Sequence, residues 1–294
     1  MTDIPDLSGE IARHTADILA DGYCIIPGAM APATIGALDD DLADDFARTP
    51  FGQGGFYGTT TKRFGRLLIR SPRAAALVQH RLILGIVEAM LFPWCDRIQL
   101  NTTQAIAVHP GAPAQLPHRD QDMWRGPVGE IEYLVNVMWP LTPFTSDNGA
   151  TIVWPRSHGS SALEPEPVES PLAAEMAPGA ALIFLGSTLH GAGANLTGAV
   201  RRGLVVGYSL GWLKPYENQW LAYPPEVARH FAPELAALVG YRQHRPNLGN
   251  FEGRCPSVLF VHDRDTPFGA IDALRPDQRE LAEAWRSEQE CTRR

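Results

Sequence analysis

The 294-residue chain is short of several features, and each shortage removes a class of function. No run of Lys and Arg occurs and the formal net charge is −8. Neither nucleic acid nor an anionic membrane surface is therefore the partner its charge favours. No apolar run approaches the ~18 residues of a membrane span. The opening "MTDIPDLSGEIARH" also lacks the charged-then-apolar order of a signal peptide. Cysteine is scarce and scattered. Cys24, Cys95, Cys255 and Cys291 form no CxxC pair, so reduced thiols and a cytoplasmic location are expected. The glycine-rich "FGQGGFYGTTTKRFG" has neither GxGxxG spacing nor a GK[ST] ending, which argues against a phosphate loop. A flap beside a pocket, over 51–67, is the expectation there.

What the chain does have is 27 Gly and 25 Pro, too many for a helical bundle and suited to short strands joined by turns. The first hundred residues read as mainly helical. Ile11, Ile18 and Leu19 recur at helical spacing before Gly22; Ile35, Leu38, Leu42 and Phe46 form a second stripe. "SPRAAALVQHRLILGIVEAMLF" reads as one helix capped by Ser71. From Asn101 the character changes. "NTTQAIAVH", "EYLVNVMWPL", "TIVW", "ALIFLG" and "RRGLVVGYSLGW" are short, β-branched or aromatic, and bounded by turn residues. Such spacing predicts an all-β sandwich or barrel. The expected organisation is one domain over 1–294: a helical part to 100, a β core over 101–213, and a helical and loop cover over 214–294. In that cover "PDQRELAEAWRSEQE" is expected to turn Leu281 and Trp285 inward.

The chemistry begins at "QLPHRDQDMW". Side chains at i and i+2 of an extended segment point the same way, so His118 and Asp120 can converge on a proton or a metal. His190 ends an apolar strand seventy residues after Asp120. Two imidazoles and one carboxylate on one face of a metal leave the other positions open, the ligand logic of non-haem Fe(II) oxygenases. By itself an HxD pair is equally a hydrogen-bonded surface pair. Arg201 adds a second element, since a buried guanidinium is a fork for a carboxylate. Strand parity separates it from Arg202. Arg201 shares its face with Gly203, Val205, Gly207 and Ser209, which leave room for a ligand. Arg202 shares its face with Leu204, Val206, Tyr208, Leu210 and Trp212, a packing set, and a surface ion pair is its alternative role. A zinc hydrolase would use the same three ligands but gives Arg201 no task. A non-catalytic jelly-roll binding protein is a further alternative. "HRD" also opens a kinase catalytic loop, but no DFG follows.

Five segments in order resemble the phytanoyl-CoA dioxygenase family of Fe(II)/2-oxoglutarate oxygenases: "DGYCIIPGAM", "QLPHRDQDMW", "NGATIVWPRSHG", "PGAALIFLGSTLHGAGANLT" and the Arg that follows. Gln115 and "ENQWL" look most like its natural-product-tailoring branch, which acts on meroterpenoids and related alkaloids. The resemblance implies a double-stranded β-helix (jelly-roll) with flanking helices and His118, Asp120 and His190 as iron ligands. It implies that Arg201 holds the distal carboxylate of 2-oxoglutarate, with Thr151 nearby, Gln115 at the keto-acid end and Gln104 reaching the pocket. O2 would be the other co-substrate, with succinate and CO2 released. The outcome would be hydroxylation, desaturation, epoxidation or rearrangement of a small, largely apolar molecule, met by Phe51, Phe56, Tyr57 and Trp124 unless these merely pack. Related halogenases carry a small residue where this chain has Asp120, so oxygenation is implied. An acyl-CoA or fatty-acid substrate is the alternative within the family. It would want a basic entrance, for which Lys62, Arg63 and Arg66 are the local cluster. The family's "PGSH" is "PRSH" here, which puts Arg156 at a turn glycine. The segment after Trp212 would cover the active site or a homodimer partner.

Overall fold

Side-chain alternation along the strands sorts the chain into layers. The computed structural model describes residues 6–292. Its nine strands are β1 (Tyr23–Ile26), β2 (Thr61–Phe64), β3 (Ile98–Val108), β4 (Leu134–Pro140), β5 (Thr151–Val153), β6 (Leu172–Ala173), β7 (Ala181–Leu185), β8 (His190–Ala192) and β9 (Arg201–Leu210). They form a six-stranded antiparallel sheet, β1-β7-β4-β9-β3-β2, and a three-stranded one, β6-β5-β8. One face of the large sheet carries Val135, Val137, Trp139, Leu204, Val206, Tyr208 and Leu210, all buried against helices. The other carries Ile106, Met138, Leu182 and Phe184, which pack with Val153, Ala174 and Met176 of the small sheet and its connections. This is the two-sheet jelly-roll that the strand pattern and the resemblance predict.

The covering helices are α1 (Ser8–Asp21), α2 (Pro32–Asp41), α3 (Ala43–Arg48), α4 (Leu67–Arg70), α5 (Ala74–Val78) and α6 (Arg81–Leu91). α1 stops at Gly22, whose φ of 83° and N–H to the Ile18 carbonyl make a left-handed cap. A Cβ there would lie 2.7 Å from His158 Nδ1 and Thr188 Oγ1, so only glycine lets the helix end against the core.

Several local expectations need correction. The single helix after Ser71 is two, α5 and α6. His80 is extended and caps α6 while its Nε2 bonds the Ala29 carbonyl, and that tertiary bond outweighs helical propensity. The helical first hundred residues also contribute β1 and β2, which extend the sheet at both edges. Beyond β9 come α7 (Gln219–Ala222), α8 (Pro225–Ala228), α9 (Pro233–Leu238) and α10 (Pro276–Thr292). Leu281 and Trp285 of α10 do not face inward; they are 70% and 63% exposed, and α10 buries no residue. Its periodicity is real, but among the described residues no segment covers the stripe. Arg156 adopts φ +56°, the left-handed region that favours the glycine it replaces. Among the described residues no helix is long and apolar enough to cross a membrane.

Candidate metal and co-substrate site

Backbone pairing brings the two histidines together. His118 N–H donates to the His190 carbonyl (2.9 Å) and His190 N–H returns the bond (3.0 Å), an isolated antiparallel bridge beside β8. Directly paired residues project their side chains to the same face, and the imidazole centroids lie 4.5 Å apart. The extended backbone persists through Arg119 (φ −117°, ψ 122°); Asp120 then opens a short 3-10 turn to Met123. Asp120 therefore points with His118, as i and i+2 spacing predicts, while Arg119 turns away to donate to the Ser157 and Ser187 carbonyls.

The three ligand atoms lie within 4.8 Å of one another. Asp120 Oδ1 is 3.4 Å from His118 Nε2, and Oδ2 is 3.5 Å from His190 Nε2. Both Nδ1 atoms face backbone carbonyls, Leu116 for His118 (2.8 Å) and Thr188 for His190 (3.0 Å). A carbonyl only accepts, so each Nδ1 carries a proton and Nε2 is the atom turned to the third ligand. That Nε2 is protonated toward Asp120 in the metal-free site and is a lone-pair donor once a metal takes that proton's place. Asn136 Nδ2 donates to Asp120 Oδ2 at 2.8 Å and fixes the carboxylate. Burial opposes the charge on Asp120, but His190 and His118 outweigh it and hold its carboxyl well below the usual range. A preformed N2O set with a permanent negative charge fits a divalent transition metal.

These ligands line a cavity of about 490 Å³, with Arg201, Thr151, Gln115, Gln104, Phe56 and Tyr57 also in its wall. Arg201 is 2% exposed. Its Nε and Nη2 donate to the Gly149 carbonyl, and its guanidinium lies 4.1 Å over the Phe144 ring. Among the described residues no carboxylate pairs with it. Burial and neighbouring Arg63 pull its pKa down, the signature of a cation lacking an anion. Arg202 instead pairs with Asp39 at 2.5 Å on the helix side, so the two arginines lie on the opposite faces that strand parity predicts. Gln115 bridges the flap and β8: Nε2 donates to the Phe56 carbonyl and Oε1 accepts from Ala192 N.

Trp124 is a correction. It does not line the cavity; its indole donates to the Lys214 carbonyl and packs near Tyr133, because the chain leaves the 3-10 turn in the other direction. Phe51 likewise lies against His109, outside the cavity. The basic flap cluster divides. Lys62 caps the carbonyls of Phe46 and Ala47, while Arg66 gives its backbone N–H to Glu217 and its Nε to the Ala222 carbonyl. Arg63 points into the cavity, where Nη1 donates to Gln104 Oε1 at 3.1 Å and the guanidinium lies over the Tyr57 ring. Asn136, Phe184 and Tyr216 are wall residues that sequence reasoning did not single out, and Arg63 was expected at a basic entrance instead. Asn136 left a signal, as the one amide in the apolar run "LVNVMWP".

Glu132 is half-buried and accepts from Ser187 Oγ, while its other oxygen is buried with no partner among the described residues. Burial pushes its carboxyl up to about 7. A folded-state value raised above that of the unfolded chain means stability present at low pH and lost as pH rises through about 7. Glu132→Gln should therefore raise stability at pH 8 by up to about 3 kcal/mol, seen as a higher melting temperature, and do little at pH 4. Thermal melts of both proteins across that range check this; equal slopes against pH would contradict it.

Residues 18–203 match the family model described as Phytanoyl-CoA dioxygenase (PhyH). The chain is similar to Dioxygenase aneA of Aspergillus aculeatus, 31% identical over 238 residues covering 76% of this chain and 80% of that one. It is also similar to Dioxygenase FrzG of Cladobotryum sp, 31% identical over 299 residues, covering 89% and 93%. Among solved structures it shares the fold of the epimerase SnoN in complex with Fe3+, alpha ketoglutarate and nogalamycin RO. That match has a TM-score of 0.58 at 17% identity, over 69% of this chain and 85% of SnoN.

Proposed function

The chain belongs to the phytanoyl-CoA dioxygenase (PhyH) family, and from that premise we propose that it oxidises an unactivated C–H bond of a small, largely apolar natural product. It is a non-haem iron, 2-oxoglutarate-dependent dioxygenase. His118, Asp120 and His190 would hold Fe(II), and Arg201 the distal carboxylate of 2-oxoglutarate. The observation that carries this reading is Arg201: a buried guanidinium without a carboxylate partner among the described residues, in the same cavity as the three ligands. A buried cation is costly until an anion joins it. A zinc hydrolase and a retired binding protein leave that cost unexplained.

Bound iron, with 2-oxoglutarate and O2, supplies the oxidant that removes a hydrogen from the substrate, with succinate and CO2 released. The chain's own residues bind and orient. His118 and His190 present Nε2 because their Nδ1 protons are held by carbonyls. Thr151, at the start of β5 and in the same cavity wall as Arg201, would offer its hydroxyl to the co-substrate. Gln115 and Gln104 frame the opposite side, each tied to the flap or to Arg63. Phe56 rests edge-on against His118 and, with Tyr57, bounds the rim, where flap closure would exclude water. Tyr57 bonds Tyr216 hydroxyl to hydroxyl, linking the flap to the chain beyond β9.

Ile106, Met123, Leu134, Met138 and Val205 give the cavity an apolar lining, which favours an apolar substrate. The acyl-CoA alternative is weakened, because the Lys62 and Arg66 side chains are turned to backbone carbonyls and Arg63 faces inward. The test is succinate release and O2 uptake with Fe(II), 2-oxoglutarate and two panels, apolar polycyclic natural products and CoA thioesters. Stimulation above the substrate-free rate is expected from members of the first panel alone. Stimulation only by the thioesters would replace this substrate class.

A further inference from the structure

A second cavity, of about 580 Å³, shares no wall residue with the metal pocket. It lies between the start of β3, α9 and the chain from Tyr241 to Ala273. Four guanidinium groups, Arg97, Arg229, Arg242 and Arg245, line it, and no Asp or Glu does. In a chain of net charge −8 that is a local inversion of sign.

The adjacent carboxylate, Asp96, is already committed. Arg245 Nε and Nη2 both bond it, and Arg97 Nε stands 3.7 Å from it. Among the described residues Arg229 donates only to the Pro225 and Leu259 carbonyls. Arg242 makes no hydrogen bond or ion pair among the described residues. Of the other carboxylates whose charge reaches this wall, Asp277 lies beside Arg275 and Glu226 beside Arg264, so among the described residues Arg229 and Arg242 are left without an anion. Partial burial lowers the pKa of Arg97, and Arg242 and Arg245 lower it further against the pull of Asp96, as expected where cations crowd without an anion. Gln243, also in the wall, has a buried amide nitrogen with no partner. Its remaining wall is apolar: Phe231, Pro233, Tyr241 and Phe260, with the last two rings 4.9 Å apart.

We infer that this cavity binds a small organic polyphosphate. Its di- or triphosphate would engage Arg97, Arg229 and Arg242, and its flat body would rest on Phe231, Tyr241 and Phe260. Guanidinium forks suit phosphate oxygens, and among the described residues Arg229 and Arg242 have no carboxylate partner of their own. The Gln243 amide supplies the neutral donor that such a group also accepts. The volume falls within the range of small-ligand sites.

Calorimetric titration of the full chain with inorganic pyrophosphate and with ADP tests this. Both should bind saturably, ADP more tightly, and added salt should weaken both. Arg242→Ala should weaken both about tenfold or more, since hydrogen bonds to charged groups are the strong ones. Arg242 is exposed and unpaired, so the variant should fold and melt as the parent does. Arg201→Ala should leave both affinities unchanged. No saturable binding by folded protein would overturn the inference. So would binding lost in Arg201→Ala but kept in Arg242→Ala, which would send these anions to the co-substrate pocket. ADP binding no tighter than pyrophosphate would remove the aromatic half of the site.

Discussion

His190→Ala is expected to lose Fe(II) affinity by more than about a hundredfold, and turnover with it. Loss of a merely supporting partner costs roughly 10–100-fold, and His190 is a ligand itself. The variant should still fold. His190 joins the His118 bridge through its backbone, which alanine preserves, and the ring removed packs on Phe184 at the cavity floor. Asn136→Ala is the internal comparison. It releases Asp120 Oδ2 without removing a ligand, so its cost should fall inside that supporting range. Titration calorimetry with Fe(II) or Ni(II) under anaerobic conditions, with a melt of each variant, measures both. Unchanged metal affinity in His190→Ala would remove the histidine from the metal site.

Arg201→Ala should raise KM for 2-oxoglutarate by about a hundredfold or more while leaving metal affinity near that of the parent. Truncating one partner of a buried charge pair costs roughly 2–5 kcal/mol. The separation of the two effects matters, because a general loss of structure would move both. Arg201→Lys should recover only part of the loss, since an ammonium is a point charge and cannot reproduce the fork over Phe144. Arg202→Ala should leave KM unchanged. Its partner Asp39 is on the helix side, and a partly exposed pair is worth roughly 0–1 kcal/mol. Initial-rate kinetics of 2-oxoglutarate decarboxylation across the three variants decide the matter. A raised KM in Arg202→Ala instead would reverse the assignment.

The parts legible in the sequence are those governed by short periods. Two-residue alternation put Arg201 with Gly203 and Val205, facing the cavity, and Arg202 with Leu204 and Tyr208, and the structure keeps that division. The same alternation placed His118 and Asp120 together. Bringing His190 to them needed the resemblance as well, because seventy residues of chain separate them and only strand pairing closes the gap. What the sequence did not reveal depends on tertiary partners. His80 breaks a continuous helical pattern for a bond to Ala29. Trp124 turns outward after a 3-10 turn that no periodicity announces. Arg63 looked like a solvated flap residue, yet β2 pairs it opposite Ile106, and that register points it inward. Leu281 and Trp285 show the converse failure, an amphipathic stripe with nothing packed on it.

The most direct measurement is anaerobic addition of Fe(II) to the full chain with 2-oxoglutarate, watching for the weak visible charge-transfer band of a chelated 2-oxo acid. It requires the three ligands and the arginine at once and needs no substrate. The expected result is a saturable band that is absent in His118→Ala and weakened in Arg201→Ala. No band from folded, iron-loaded protein, or a band indifferent to both substitutions, would contradict the assignment of this cavity as an iron and 2-oxoglutarate site.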